Sequence, residues 1–432
     1  MSKVLQRKII FVSVILVIIS ILLTSSLFAK VTIRYMGGWD AKTDWPQVQA
    51  DVAEFNKLHP DIEVIAENLP DYTQKYLIQM AAGNPPDVLY SFKPWAHTYA
   101  SKGAFLDIEK FLERDKKEID PSDFYPGMLD EWRYKGVLYG LPTWTAASGV
   151  YYNKNIFDKA GLKYPDDTWT WDTLVENGKK LTIKDAQGKI TQYAFTPDGF
   201  SLDWGTGPII WVWSNGGDIL SPDKKKFTLG DPKAKQALEY FYDVIFKHQI
   251  SVSPSAHSEQ NWWIRFYSGT VAMWDSPSWN NTYLAPIEKF VWDIAPTFMS
   301  PYTKKRAGFI HTRATCISKL TKHPEEAWEF VKFLSSKQIQ KVWAVKRGYQ
   351  PTRKSIVPIW LKEFKPGDKA RNLTVFHKAI YTAKYIPQLD DGQKDADFWR
   401  LINTEWEGVM LQKQSIDQFL EKVSKEVVKY LQ

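Results

Sequence analysis

The 432 residues contain one cysteine, Cys316. A single thiol excludes an intramolecular disulfide, a CxxC redox pair and a thiolate metal cage. Inside an apolar stretch it reads as a small buried hydrophobe. HExxH, a P-loop, GxGxxG and GxSxG are also missing. These absences remove the usual marks of zinc hydrolases, nucleotide-binding proteins and serine hydrolases. Gly205-Thr206-Gly207 is an isolated fragment and reads as a turn. His248 and His257 do not make a metal pair, and Asp390-Asp391-Gly392 lacks the alternating acids of a calcium loop. No metal, cofactor or catalytic group is expected. Repeats and low-complexity linkers are absent too. The net charge is +7, and Lys3, Arg7 and Lys8 supply three of it, so +4 is spread over the rest. That is no footprint for nucleic acid. Lys224–Lys226 reads as a solvated loop.

What is present is apolar and aromatic. Hydrophobic residues make up 44%, enough for two cored domains in a chain of this length. The chain has 20 Trp, 21 Tyr and 23 Phe. Many must be core. The rest are candidates to line a cleft, where flat rings cover the C–H faces of sugars.

The N-terminus has three parts. Ser2–Lys8 is basic, Ile9–Leu23 is apolar, and Ser25–Ala29 leads to a cleavage site after Ala29. This is the layout of a secretory signal, residues 1–29, although Leu27 is large for such a site. The competing reading is an uncleaved anchor, for which the apolar run is short. No cysteine follows to carry a lipid. A soluble, unlipidated protein of this kind is expected in a bacterial periplasm.

Beyond the signal the pattern is α/β. Val31–Tyr35, Ile62–Ala66 and Val88–Ser91 read as strands. Helices fall between them, with Val48, Val52 and Phe55 on one face and Tyr76, Leu77 and Met80 on another. This alternation predicts parallel strands with right-handed crossovers. Ligands in such sheets sit beyond the carboxyl ends of the strands, here Met36–Asp40 and Ser91–Trp95. Thr170 should cap a helix, and Ser258–Ser268 should form another. Ser415 with Gln418 predicts a capping box near the end. Thr312–Ser318 reads as a strand. A helix then starts at Pro324 with Glu325 and Glu326 in its first turn. A second helix ends at Gly348.

Pro85–Gly103, Tyr151-Tyr152-Asn153-Lys154 and Gly308–Ser355 together resemble the family 1 extracellular solute-binding proteins, the maltose-binding-like sugar receptors of ABC importers. The resemblance runs over Val31–Gln432. It implies a two-lobed periplasmic binding protein fold, with mixed sheets flanked by helices and hinge crossings between lobes. Lobe 1 is then 30–146 and 292–348, and lobe 2 is 147–291 and 349–432. The crossings fall near Ala146–Val150, Ala285–Ile294 and Gly348–Thr352. The implied function is capture of a sugar, most simply an oligosaccharide, by a monomer that delivers it to membrane permease subunits. The implied site gathers Trp39, Asp40, Lys93, Trp95 and Phe309 from lobe 1. Trp204, Asp275, Trp279 and Trp399 come from lobe 2, with Trp144 beside the crossing. Trp274–Trp279 stands where relatives have a small-residue, proline, tryptophan loop, but the order is altered here.

Two other readings share these residues. A secreted glycoside hydrolase would need two carboxylates about 5–9.5 Å apart. Asp40, Asp203, Asp275 and Glu405 could be nominated, but spacing picks out no pair. A receptor for an acidic sugar or another polyol would use Lys93 and Arg313.

Overall fold

The structure is a computed structural model, and it describes residues 30–369 and 371–431. The signal-like segment 1–29 lies outside the described residues. The first three strands form as the alternation predicts: β1 (Val31–Gly37), β2 (Ile62–Asn68) and β3 (Val88–Phe92). β1 pairs in parallel with both neighbours. The helices Trp45–Leu58 and Tyr72–Ala81 connect them.

Next comes β4 (Leu141–Asn153), a strand of 13 residues. The strands that follow are β5 (Ile190–Pro197), β6 (Val271–Pro277), β7 (Trp292–Ala295) and β8 (Gly308–Ile317). The sheet runs β2-β1-β3-β8-β4-β6-β5, with β7 added to β4 and the short strand Ala383–Lys384 added to β8. β8 is antiparallel to β3 and to β4, whereas β5 and β6 are parallel. Helices flank this mixed sheet.

The apolar side chains divide between separate cores. One contains Ile33, Phe55, Val88, Trp132, Leu141, Ala314 and Phe330. Another contains Phe157, Leu174, Phe195, Trp211, Leu238, Phe398 and Val423. A smaller third core, with Phe266, Trp274, Trp292 and Trp360, backs the second. Among the described residues two long strands serve both sides. β4 gives Ala146 and Ala147 to the first core and Val150 to the second. β8 gives Phe309 to the second and Ile310 to the first. Ser148 Oγ ties the two strands by accepting the Phe309 N–H at 2.9 Å. Gly149 is needed at the changeover, because a Cβ there would sit 2.7 Å from the Phe376 ring.

Local signals fared well where a few neighbours decide. The Thr170 side chain caps its helix. The Ser415–Gln418 box is present in full. Gly348 ends the Lys337–Arg347 helix in the left-handed conformation. The expected helix at Ser258–Ser268 is instead two, Pro254–Glu259 and Trp262–Ser268, broken by an extended Gln260. Arg265 bridges the break, donating to the carbonyls of Gln260 and Ala256. The stretch 285–294 stays with the second side: Ile287, Phe290, Trp292 and Ile294 join the third core, and Phe298 and Ala307 the second. On this return pass core membership changes along β8.

Candidate ligand-binding site

Between the first and second cores lies a cavity. Its position follows from the topology. Phe92 and Lys93 stand where the parallel strand β3 ends and the Lys93–Ser101 helix begins. Phe309–Thr312 cross its floor on β8. Asp203 and Trp204 come from the loop before the Pro208–Ser214 helix. Tyr385, Ile386 and Gln388 form a strap ahead of the Gly392–Met410 helix. That helix supplies Asp395 and Trp399, four residues apart and so on one face.

The walls are rings. Trp204 faces Phe309 at 6.2 Å between centroids. A Cβ on Gly205 would fall 1.7 Å from Phe309 Cγ, so only glycine lets the Trp204 loop close over that ring. Trp279 lies just outside the lining, 6.0 Å from Trp204 and 5.2 Å from His311, and it packs against both cores. His311 is buried, and burial with Arg313 nearby holds it well below its usual pKa, hence neutral.

The polar end is more tightly determined. Lys93 Nζ is 2.9 Å from Glu131 Oε1 and also donates to the Glu131 carbonyl. Burial pushes the Glu131 carboxyl up, against the pull of Lys93. Asp395 accepts the Leu389 N–H at 2.7 Å, and burial pushes its carboxyl up to about 7. The Tyr385 hydroxyl and Gln388 Oε1 are buried with no hydrogen-bond partner. Unpaired buried polar atoms cost stability, so a cluster of them at a cavity marks groups kept for something else.

Of the ten residues expected at the site, Lys93, Trp204, Phe309 and Trp399 line this cavity. The other six do not. Trp39 is covered by Trp45, Tyr90 and Tyr35 at 5.7, 5.2 and 5.0 Å. Trp144 stacks on Tyr349 at 4.5 Å and donates its indole N–H to the Tyr90 hydroxyl at 2.6 Å. Trp95 packs edge-on against Tyr72. Asp40 is exposed and accepts from Lys42 and Thr43 in its own turn. Asp275 is buried off the cavity beside Asp198, and burial with that neighbour pushes its carboxyl well up. Asp198 lies against the indoles of Trp204, Trp262 and Trp274, and burial raises it to about 7.

Sequence reasoning missed Glu131, His311, Asp395 and the Tyr385–Gln388 strap. Asp395 and Trp399 at i and i+4 carried a usable signal; the rest carried none.

A cavity held between two cores, walled by rings and rimmed by polar groups, is the arrangement of a ligand-capturing protein. Among the described residues no cluster could hold a metal ion, and no helix is long and apolar enough to cross a membrane. The model for "Bacterial extracellular solute-binding protein" matches residues 42–341, and the chain belongs to that family. A putative binding protein of Brucella abortus is 24% identical over 365 residues, covering 83% of this chain and 84% of the relative. An arabinooligosaccharide-binding protein of Halalkalibacterium halodurans is 27% identical over 322 residues, 70% of this chain and 67% of the relative. Among solved structures, a Listeria monocytogenes ABC substrate-binding protein in complex with cycloalternan superposes with TM-score 0.81 at 24% identity, over 93% of this chain and 99% of that one. Maltose-bound T. maritima MalE3 superposes with TM-score 0.76 at 23% identity, over 93% of this chain and 100% of that one. Two-lobed binding proteins thus share its fold.

Proposed function

We propose that this chain is an extracytoplasmic sugar receptor that captures an oligosaccharide between two lobes and hands it, unaltered, to the permease of an ABC importer. The observation that carries this reading is the cavity between the cores, with Trp204, Phe309 and Trp399 as ring faces and Lys93, Glu131 and Asp395 as polar rim. Sugars offer an apolar C–H face and a polar edge, and this lining complements both. Relatives named for arabinooligosaccharide and cycloalternan point the same way. Contact with both lobes would favour a closed form over an open one, the hinge closure for which periplasmic binding proteins are the standing example. Our reading of the lobes is a first one at about residues 30–147 and 310–349 and a second formed by the remainder; the first core supports it for most of those residues, while Val357 and Ile380 reach back to that core. We also propose export through a signal cleaved after Ala29, residence in the periplasm, and a monomer as the working unit.

The test is a panel of neutral and charged oligosaccharides. Binding that raises Tm and quenches tryptophan fluorescence, without products by chromatography, is the expected result. Released shorter sugars would make the chain a hydrolase instead. No response from any saccharide would end the reading.

A further inference from the structure

We propose that the cavity selects a saccharide bearing a protonated amine, seated where Glu131, Asp395, Gln388 and Tyr385 converge. This rests on the saccharide reading of the same cavity and adds the charge of the ligand.

The chain as a whole is basic, at +7, yet the cavity lining holds three acids, Glu131, Asp203 and Asp395, and a single cation, Lys93. That lysine is already committed twice to Glu131, through the carboxylate at 2.9 Å and through the carbonyl. Two further cations lie near but outside the lining, and Arg313 keeps an unpartnered Nε. Arg313 is held by rings, its guanidinium carbon 4.7 Å from the Phe92 centroid and 5.4 Å from Tyr90, and it reaches the Tyr72 hydroxyl at 3.4 Å. Lys224 lies 3.5 Å from Asp390. A ligand carboxylate entering this end would meet Glu131, Asp395 and a lysine already paired with Glu131.

An ammonium fits instead. It has three donors and no acceptor. The lining offers Gln388 Oε1, which has no partner, and Asp395, whose Oδ1 takes only the Leu389 N–H. The Tyr385 hydroxyl, likewise unpartnered, can accept as well as donate. Lys93, Lys224 and the Trp399 indole on its own helix act on Asp395, and Glu131 shares the cavity lining with it. His97, bonded to the Leu389 carbonyl at 2.7 Å, is lowered by burial to about 4 and stays neutral above that. Asp395 is pulled on by Lys93 and Lys224 while they are paired with Glu131 and Asp390. With its carboxyl raised to about 7 it holds a proton for much of the time at neutral pH, and a ligand ammonium would take that proton's place. Charge-assisted hydrogen bonds of this kind are about twice as strong as neutral ones.

Isothermal titration with β-1,4-linked trimers of glucose, glucosamine and N-acetylglucosamine, and with trigalacturonate, separates the possibilities. The glucosamine trimer is expected to bind at least about tenfold more tightly than the glucose trimer, equivalent to about 1.4 kcal/mol. The N-acetylated trimer should lose that preference, and trigalacturonate should be weakest. The preference should grow from pH 5 as Asp395 ionises, fall again once the ligand ammonium deprotonates, and shrink with salt. Asp395→Asn should abolish both the preference and its pH dependence. Gln388→Leu, which breaks no internal bond, should cut the preference about threefold and guards against a folding defect in the first variant. Equal or tighter binding of the glucose, acetylated or galacturonate trimer overturns this proposal while leaving a sugar receptor standing. Silence from all four overturns this proposal, and silence from the whole panel of neutral and charged oligosaccharides overturns the receptor reading as well.

Discussion

Two aromatic clusters stand near strand ends in this molecule: one lines a hollow within the first core, the other a cavity between the two cores. Around Trp39, Tyr90 and Trp144, ring meets ring at 4.5–5.7 Å, and the Trp144 indole donates to Tyr90 within the cluster. Around Trp204, Phe309 and Trp399 the rings stand apart, and the Tyr385 hydroxyl and Gln388 oxygen beside them have no partner. Residue type does not separate the two. The ring substituents do: Trp144 and Tyr90 satisfy each other in the packed cluster, while the Tyr385 hydroxyl beside the open one has no partner.

The sharpest break of this comparison is a pair of truncations. Trp39→Ala should destabilise by about 3–5 kcal/mol, as buried tryptophans do, with unchanged ligand affinity. Trp204→Ala, half-buried at the cavity, should lower the denaturation midpoint less than Trp39→Ala and should weaken saccharide binding about tenfold or more. Urea melts and titration calorimetry on both variants decide it. If Trp204 proves the structural residue and Trp39 the binding one, the assignment is reversed.

A smaller effect concerns pH. Asp198 lies against the Trp204 indole with its carboxyl raised from 3.8 to about 7 by burial. The folded state thus holds that proton more tightly than the unfolded chain. Its stabilisation is complete below about pH 4 and lost as pH rises to 7. Asp198→Asn should remove about 2–4 kcal/mol of this decline, seen as a flatter profile of unfolding free energy between pH 4 and 8. An unchanged slope would mean that Asp198 is ionised in the fold.

The smallest contrast is between two hydroxyls. Tyr90→Phe strips the acceptor from the buried Trp144 indole and should cost about 1–2 kcal/mol of stability. Tyr385→Phe removes a hydroxyl with no internal partner and should leave stability within about 0.5 kcal/mol. It should still lower affinity for any saccharide that uses that hydroxyl. Thermal melts on the two variants, side by side, suffice.

Much of the fold could be read directly. The parallel β2-β1-β3 unit, the Thr170 cap, the Ser415–Gln418 box and the Gly348 stop depend on residues a few positions apart. The changeover at Ala146–Val150 could be placed from its small residues and from family likeness, and β4 changes cores there. The site was legible only in part. Lys93, Trp204, Phe309 and Trp399 line the cavity, but so do Glu131, His311 and the Tyr385–Gln388 strap.

The sequence by itself determined the alternating elements, their caps and breaks, and the surplus of rings from which a cleft could be made, because periodicity and capping act within one or two turns of chain. Only the tertiary structure decided which rings are covered and which carboxylates are stranded. Trp39 is sealed by Tyr90, and Asp395 meets the cavity beside Glu131, through contacts between segments tens to hundreds of residues apart. Burial and hydrogen-bond satisfaction are sums over those distant neighbours, and no local pattern carries them.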